Sequence, residues 1–279
     1  WMQRSLIAMF RVLPLWLLYC VMALVIPFYM IFNRKGYQAI YDFFHKRIGY
    51  GPLKSFCNVY LNHFRFGQVI LDRFGAFAGK KYQFECEGLE LMEHLESLPK
   101  GFLMLSSHVG CYEMVGYSLK PKTKKMDALV YAGETATVME NRQRVLGRNN
   151  IQMVPVKEDL SHLFALNAAI DNGDIVSMPA DRIFGSQKSV ECQFFGAKAN
   201  FPLGGFAMAV QKEVSVLAVF VMKVGMKKYR VFLKSVECDS QAKKRDQMTQ
   251  LAQGFATQLE DIVRRYPTQW FNYFDFWAQ

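Results

Sequence analysis

A histidine and a glutamate stand close together at a point in the sequence where an apolar run ends. The segment 105–117, LSSHVGCYEMVGY, follows the apolar residues 101–105 and holds His108 five positions before Glu113. When a carboxylate accepts one ring N–H of an imidazole, the other nitrogen can act as a general base. An alternative stays open, in which His108 is a hydrogen-bonded structural histidine and Glu113 suits the positive end of a helix.

The elements around this pair determine whether the two side chains can meet. We predict a strand over residues 102–106 and a helix over residues 111–118, with His108 in the turn between them. On one continuous helix, positions five apart would point about 140° away from each other. A histidine in the turn and a glutamate in the helix can converge instead. In α/β sheets functional groups gather beyond the carboxyl ends of strands, which is where His108 stands.

From residue 81 onwards, short strand-like runs alternate with helical ones. This alternation predicts an α/β fold, with a mixed sheet flanked by helices. Two strands joined by a turn around Gly225 should form an antiparallel hairpin. The predicted strands cover residues 82–86, 102–106, 127–131, 151–155, 174–178, 190–195, 214–222 and 228–234. The predicted helices cover residues 37–48, 53–75, 88–97, 111–118, 135–147, 159–171, 203–212 and 241–265.

The N-terminal third is the most apolar and also the most basic part of the chain. Residues 12–32 carry no charge and are numerous enough to cross a hydrocarbon core of about 30 Å. Residues 1–81 hold eleven Lys or Arg and only two acidic residues, which favours an anionic membrane surface over nucleic acid. Pro14 and Pro27 leave open a kinked helix that lies in the interface instead of crossing it.

Three regions follow from this pattern. More basic residues follow the apolar run than precede it, which predicts that the body of the protein is cytoplasmic. The helix over residues 53–75 has one apolar face that should pack on a core or lie among lipid headgroups, and we favour packing. The predicted regions are 1–35 (transmembrane or interfacial helix), 36–80 (helical membrane-proximal region) and 81–279 (α/β domain).

Cysteine and histidine spacing argues against two classes of protein. The six cysteines show no CxxC spacing and the five histidines are dispersed, so neither a disulfide framework nor a zinc site is indicated. We expect reduced thiols, no metal and no cofactor.

Several motifs resemble those of one enzyme family. The segment HVGCYE (108–113) fits the H-x4-D/E motif of the glycerolipid acyltransferase superfamily, and SSHVGCYE is most similar to the late lipid A (lauroyl/myristoyl) acyltransferases. The likeness covers roughly residues 80–279 and includes the Pro-x-Gln-Trp ending near the C-terminus. Four further segments resemble the family in the same order, at residues 140–151, 154–185, 190–209 and 266–277.

This resemblance implies a membrane-bound acyltransferase of the bacterial inner membrane, with its active domain on the cytoplasmic face. It would move a fatty acyl group from acyl carrier protein, or another acyl thioester, to a lipid hydroxyl or amine. His108 would be the general base and Glu113 would support the charged imidazole, while backbone N–H groups near residues 110–118 would stabilise the oxyanion. The residues to which the resemblance gives substrate-binding roles are Asp181, Arg182, Lys157, Arg144 and Arg142.

Departures from the family pattern bear on the acceptor more than on the chemistry. Cys111 and Tyr112 replace an Asn and a Trp, Lys157 replaces an Arg, and Tyr273 lies where the family has a polar cluster. These departures leave open the alternative that the acceptor is not a lipid A precursor. For the acyl chain we expect an apolar slot near Phe194, Phe195 and Met208.

Three alternatives compete with this interpretation. Cys111 stands three residues after His108, where a thiol could form a covalent acyl intermediate. A serine hydrolase would need the G-x-S-x-G turn, which the sequence around Ser106 and Ser107 lacks. A catalytically inactive member of the same fold would bind lipid or acyl carrier protein without turnover. The presence of both His108 and Glu113 favours the enzyme.

Overall fold

A mixed α/β fold is confirmed by the computed structural model, which describes residues 10, 13–130, 143, 146–157, 159, 161–183 and 188–278. The strands in these residues are β1 (Gln83–Glu87), β2 (Phe102–Ser106), β3 (Met126–Val130), β4 (Ile151–Pro155), β5 (Ile175–Pro179), β6 (Ser189–Phe194), β7 (Ala197–Pro202), β8 (Val216–Lys223) and β9 (Lys228–Val236). The α-helices are α1 (Leu15–Phe32), α2 (Arg34–Asp42), α3 (Pro52–Phe77), α4 (Leu89–Ser97), α5 (Val115–Ser118), α6 (Ser161–Asp171), α7 (Gly204–Lys212) and α8 (Lys244–Arg265).

Seven strands form one mixed sheet in the order β1-β9-β8-β2-β5-β3-β4. Neighbours from β8 to β4 are parallel, whereas β9 runs antiparallel to β8 and β1 runs parallel to β9. The predicted antiparallel hairpin is therefore confirmed as β8 and β9. Parallel strands bring their carboxyl ends to the same edge of a sheet, so the residues after β2 and β5 come together in space.

The centre of the sheet is buried on both faces. Every residue of β2 and β8 is buried, as expected for near-continuous apolar strands covered by helices on each side. Leu103 and Leu105 of β2 belong to one apolar layer, with α6, α7 and α8, whereas Phe102 and Met104 belong to the other, with α4 and α5. The alternation of side chains along a strand divides the core in this way.

The strand β7 was not predicted from the sequence. It pairs with the predicted strand β6 in a separate two-stranded hairpin, whose turn residues Phe195 and Gly196 both have positive φ. Two positive φ values in a two-residue turn match the twist of a hairpin. β7, whose sequence is AKANFP, has few residues typical of strands, and its pairing with β6 outweighs that weak propensity.

The helix α3 is oriented differently from the preferred expectation. Its apolar face points outward, with Leu53 76% and Phe56 50% exposed, and its buried residues include the polar Asn62, His63 and Asp72. The expectation that the apolar face packs on the core is therefore wrong. Asn62 and His63 contact backbone carbonyls, those of Trp270 and Val59, whereas the Asp72 carboxylate contacts other side chains. This pairing makes an inward polar face tolerable.

The apolar helix α1 lies antiparallel along α3. Leu15 approaches Gly75 near one end, Met22 packs against Gly67 in the middle, and the Tyr29 ring lies 5.7 Å from the His63 ring near the other end. A side chain at position 67 would overlap the Met22 sulfur, so a glycine there permits the close approach.

A buried charged cluster ties these two helices to the sheet. The Asp72 carboxylate of α3 forms an ion pair with Lys223 at the end of β8, and the hydroxyls of Tyr19, Tyr82 and Tyr229 donate to it. Asp72 and Lys223 are both almost fully buried. Such a pair is stable only because hydrogen bonds satisfy the remaining polar atoms.

The predicted region boundaries and the predicted helix over residues 135–147 stay predictions. Most of the predicted helix over residues 135–147 lies outside the described residues.

Candidate active site

The loop after β2 is held by the C-terminal tail and by β8. The Gly110 N–H donates to the Gln269 carbonyl at 2.7 Å, and the Phe271 N–H donates to the His108 carbonyl at 3.1 Å. Gly110 has φ +59, and a Cβ atom there would lie 2.0 Å from the Val221 carbonyl oxygen. Only glycine combines this backbone conformation with so close an approach.

His108 is paired with Asp181, which follows β5. The ring Nδ1 lies 2.8 Å from Asp181 Oδ1, and the His108 backbone N–H donates to Asp181 Oδ2 at 2.8 Å. Ser106 and Pro179 are aligned in the parallel register of β2 and β5, so residues two positions beyond each strand end are neighbours. This pairing assigns the Nδ1–H tautomer, and Nε2 is then the nitrogen that can accept a proton.

The Asp181 carboxylate is charged in this setting. Its side chain is 1% exposed and that of His108 is 17% exposed. Burial opposes ionisation, but the His108 imidazole and its hydrogen bonds outweigh it, so the pKa of Asp181 lies below its usual value. An ionised carboxylate at Nδ1 stabilises an imidazolium formed by proton uptake at Nε2.

Glu113 has a different partner from the one expected. It lies in the short 3-10 turn Tyr112–Met114, and its carboxylate contacts the guanidinium of Arg73 at 2.9 Å. The sequence indicated that Glu113 accepts a ring N–H of His108, but Asp181 holds the Nδ1 position. The resemblance gave Asp181 a substrate-binding role, whereas the structure pairs it with His108. Spacing along one segment did not reveal this pairing, because the carboxylate of Asp181 follows a neighbouring strand.

A cavity of about 420 Å³ opens beside this pair. His108, Glu113 and Arg182 line it, so the structure brings three of the predicted site residues to one space. Its other walls come from α3 and the C-terminal tail, which supply Phe66, Val69, Ile70, Arg73, Phe271 and Tyr273. The resemblance of residues 266–277 pointed to the tail, whereas no motif indicated the contribution of α3.

Arg182 is held rigidly at the cavity wall. One Nη donates to the Phe271 carbonyl at 2.6 Å, and the guanidinium lies 5.5 Å from the centre of the Phe274 ring. Burial lowers the pKa of Arg182, while the Asp181 charge opposes that shift. The Nε atom is buried and has no hydrogen-bond partner among the residues that the structure describes.

Of the basic residues that the resemblance also indicated, Lys157 is described by the structure and does not line this cavity. Lys157 is exposed just beyond β4, and its backbone N–H donates to His162 Nδ1 at 3.1 Å. Arg142 and Arg144 lie outside the described residues. Their roles stay predictions.

Cys111 is unsuited to covalent catalysis. The side chain is 2% exposed, and burial, with a smaller contribution from the Glu113 charge, raises the pKa of its thiol well above the ordinary value. A nucleophilic cysteine needs a lowered pKa and access to substrate. No cluster of three metal-binding side chains occurs among the residues that the structure describes.

A second, smaller cavity of about 70 Å³ adjoins the first at Tyr112 and Glu113. Its walls are largely apolar and come mainly from β3, β4 and β5 and from the 112–117 turn. Phe194, Phe195 and Met208, where we expected the acyl slot, are buried in the main core instead.

Comparisons with known proteins identify the family. No curated protein sequence matches the chain. The crystal structure of the 1-acyl-sn-glycerophosphate (LPA) acyltransferase PlsC from Thermotoga maritima is similar, with a TM-score of 0.43 and 12% identity over 90% of this chain and 99% of that one. The family model described as bacterial lipid A biosynthesis acyltransferase matches residues 77–277, which include His108, Glu113, Asp181 and Arg182. The chain therefore belongs to the bacterial lipid A biosynthesis acyltransferase family and is a lipid acyltransferase.

Proposed function

We propose that the protein transfers a fatty acyl group from acyl carrier protein, or another acyl thioester, to a lipid hydroxyl or amine, with His108 as general base. The observation that carries the proposal is the His108–Asp181 pair at the wall of a cavity beyond β2. The pair orients one imidazole nitrogen and stabilises its charged form.

The reaction needs one proton transfer in each direction. His108 Nε2 accepts the proton of the acceptor O–H or N–H as that oxygen or nitrogen attacks the thioester carbonyl. Collapse of the tetrahedral intermediate breaks the C–S bond, and the imidazolium returns the proton to the leaving sulfur. The products are the acylated lipid and the free thiol, and no other reactant is required.

Two further side chains support this chemistry. Arg182 is proposed to bind an anionic or carbonyl group of a substrate through the part of its guanidinium that lines the cavity. Glu113 is proposed to position Arg73 at the cavity wall and to add a second negative charge near the imidazolium. The N–H groups of Gly110 and Cys111 are occupied by the carbonyls of Gln269 and Val221, so neither serves as the oxyanion donor in this arrangement.

We also propose where the acyl chain binds and what the remaining basic residues contact. The apolar cavity beyond Tyr112 is where we place the part of the acyl chain nearest the thioester, since it adjoins the His108 cavity. Lys157, Arg142 and Arg144 are proposed to bind substrate anions from outside that cavity.

Membrane association agrees with the surface of the N-terminal helices. α1 is long and apolar enough to cross a membrane, and its exposed residues include Leu24, Phe28 and Phe32. Leu53 and Phe56 of α3 are also exposed. An apolar surface beside basic residues suits an anionic membrane, and we place it at the bacterial inner membrane with the active domain on the cytoplasmic face.

Acyl transfer is tested with detergent-solubilised protein, a mixed pool of acyl carrier protein thioesters, and bacterial lipids supplemented with lyso-lipids and aminolipids. Mass spectrometry follows the acyl chains into lipid for the wild type and for His108→Ala. We expect a new acylated lipid that falls by about 10²-fold or more in the variant. Undiminished transfer by His108→Ala would show that the base is wrong. Donor binding without any transfer by the wild type would replace the proposal with a binding protein.

A further inference from the structure

A groove with basic residues on its rim lies next to the His108 cavity and has no role in the mechanism above. It has a volume of about 520 Å³ and runs between the α2 region and the C-terminal tail. Lys35, Lys46 and Arg47 line it from one side, and Tyr273, Phe274 and Trp277 are among the tail residues that line it from the other. We call it the basic groove.

The basic groove and the His108 cavity share a wall. Tyr273 lines both spaces. The next residue, Phe274, lines the groove and stacks below Arg182, which lines the cavity. An extended molecule with one end at His108 would therefore reach the groove by passing Tyr273 and Phe274.

The backbone at the groove is unusual. After α2, residues Phe43–Arg47 form a π-helical turn, in which the Ile48 N–H donates to the Phe43 carbonyl at 3.0 Å. Such turns are rare and often occur at functional sites. The turn places Lys46 and Arg47 on the wall of the groove beside Phe43.

The groove lining has three cationic and two anionic side chains, which leaves one net positive charge. Asp42 pairs with Lys46 at 3.1 Å, and Asp275 accepts the Trp277 N–H at 3.2 Å. The structure gives Lys35 and Arg47 no carboxylate partner among the described residues. Arg47 instead lies 4.4 Å from the centre of the Trp277 ring, a contact that orients the guanidinium and leaves its N–H groups available to an anion.

We propose that the basic groove binds the phosphate-bearing pantetheine arm of the thioester donor. Lys35 and Arg47 bind the phosphate, and the aromatic side chains of Phe274 and Trp277 contact the amide-linked chain. The thioester reaches His108 past Tyr273. This rests on the proposed acyl transfer from a thioester, and it specifies where the donor enters. A phosphorylated arm fits because it carries its anionic group at one end and the reacting sulfur at the other.

Paired donors that differ only in the phosphate test this assignment. Steady-state kinetics compare an acyl-4′-phosphopantetheine with the same acyl-pantetheine for wild type, Lys35→Ala and Arg47→Ala. Arg34→Ala and Lys54→Ala are matched controls, because both residues are exposed and basic in the same region but do not line the groove. We expect KM for the phosphorylated donor to rise about tenfold in the groove variants. With the unphosphorylated donor, both kcat and KM should change less than about twofold.

The controls distinguish the possible sources of the effect. An equal rise in KM for all four variants would indicate general attraction by surface charge and would overturn the assignment. A rise in KM for the lipid acceptor instead of the donor would indicate that the groove binds a lipid phosphate. That result would also overturn the assignment to the donor.

Direct binding separates this assignment from the proposed reaction. Calorimetric titration compares 4′-phosphopantetheine with pantetheine on wild type and Lys35→Ala. Phosphate-dependent binding that Lys35→Ala weakens would support the groove even if no acyl transfer were detected. Equal binding of the two compounds by the wild type would overturn it even if acyl transfer were confirmed.

Discussion

At the scale of residues, the two carboxylates near His108 have different surroundings and different partners. Asp181 is almost fully buried and contacts both the ring and the backbone of His108. Glu113 is 19% exposed and contacts Arg73. The side chain that sets the imidazole tautomer is therefore Asp181, and we propose that Glu113 acts on the imidazole through its charge.

Replacing Asp181 by Asn should invert the tautomer of His108. The amide oxygen would accept the His108 backbone N–H, which turns the amide nitrogen, a donor, toward ring Nδ1. Nε2 would then carry the proton and could not act as base, so we expect kcat to fall by roughly 10²–10⁴-fold in Asp181→Asn with KM little changed. Glu113→Gln is the matched comparison. Full loss in Glu113→Gln with wild-type kcat in Asp181→Asn would contradict this assignment.

Asp181 should also contribute a pH-dependent part of the stability. Its pKa is lowered in the folded protein, so folding favours the ionised form, and that contribution is present above the unfolded pKa of about 4. It is lost as the pH falls through the lowered pKa of the folded state. We expect urea unfolding of Asp181→Asn to show about 1–3 kcal/mol less stability at pH 7 and a smaller difference below pH ~4. A difference that does not change with pH would contradict this.

At the scale of elements, the Asp72 cluster joins α1, α3 and the end of β8. Arg73, the next residue of α3, lines the His108 cavity and contacts Glu113. The cluster therefore determines how α3 is placed against the sheet, and through α3 it positions one wall of the active site.

Breaking the buried pair should cost more than replacing it. Lys223→Met leaves the Asp72 charge without its cation, and we expect it to lower the free energy of unfolding by about 3–5 kcal/mol. The double variant Asp72→Asn/Lys223→Met removes both charges but keeps an oxygen that accepts from the tyrosine hydroxyls, and it should recover part of that loss. Urea titration of both variants measures this. A double variant less stable than Lys223→Met alone would show that the charged pair is itself a net stabiliser.

At the scale of the whole molecule, the position of α1 bears on how the protein meets the membrane. α1 lies along α3, and α3 supplies Phe66, Val69 and Ile70 to the His108 cavity. A docked α1 that crossed the bilayer would carry the cavity into the hydrocarbon core together with α3. We therefore expect α1 to lie along one leaflet while it is docked, with its exposed apolar side chains in the lipid.

Labelling of single cysteines tests this orientation. Trp16 and Phe32 are exposed near the two ends of α1, which are about 27 Å apart at 1.5 Å per residue. In a variant without native cysteines, we expect Trp16→Cys and Phe32→Cys to react with an impermeant maleimide from the same side of inverted membrane vesicles. Protection of one end until the vesicles are opened would mean that α1 spans the bilayer.

The sequence by itself determined the local features of this protein. Strand β2, the turn that holds His108, and the β8–β9 hairpin follow from apolar patterning and turn residues, which act over a few neighbouring positions. The motif around His108, together with the later segments, indicated the acyltransferase family, which the family comparison confirmed. These features are local because backbone propensity and side-chain periodicity are local.

Only the tertiary structure decided which groups meet across the chain. Asp181 reaches His108 because β5 lies beside β2, and α3 turns its polar face inward because the tail and β8 offer hydrogen-bond partners. The strand β7 forms only because β6 pairs with it. Each of these depends on contacts between residues distant in sequence, whose free energy of packing and pairing outweighs local preference.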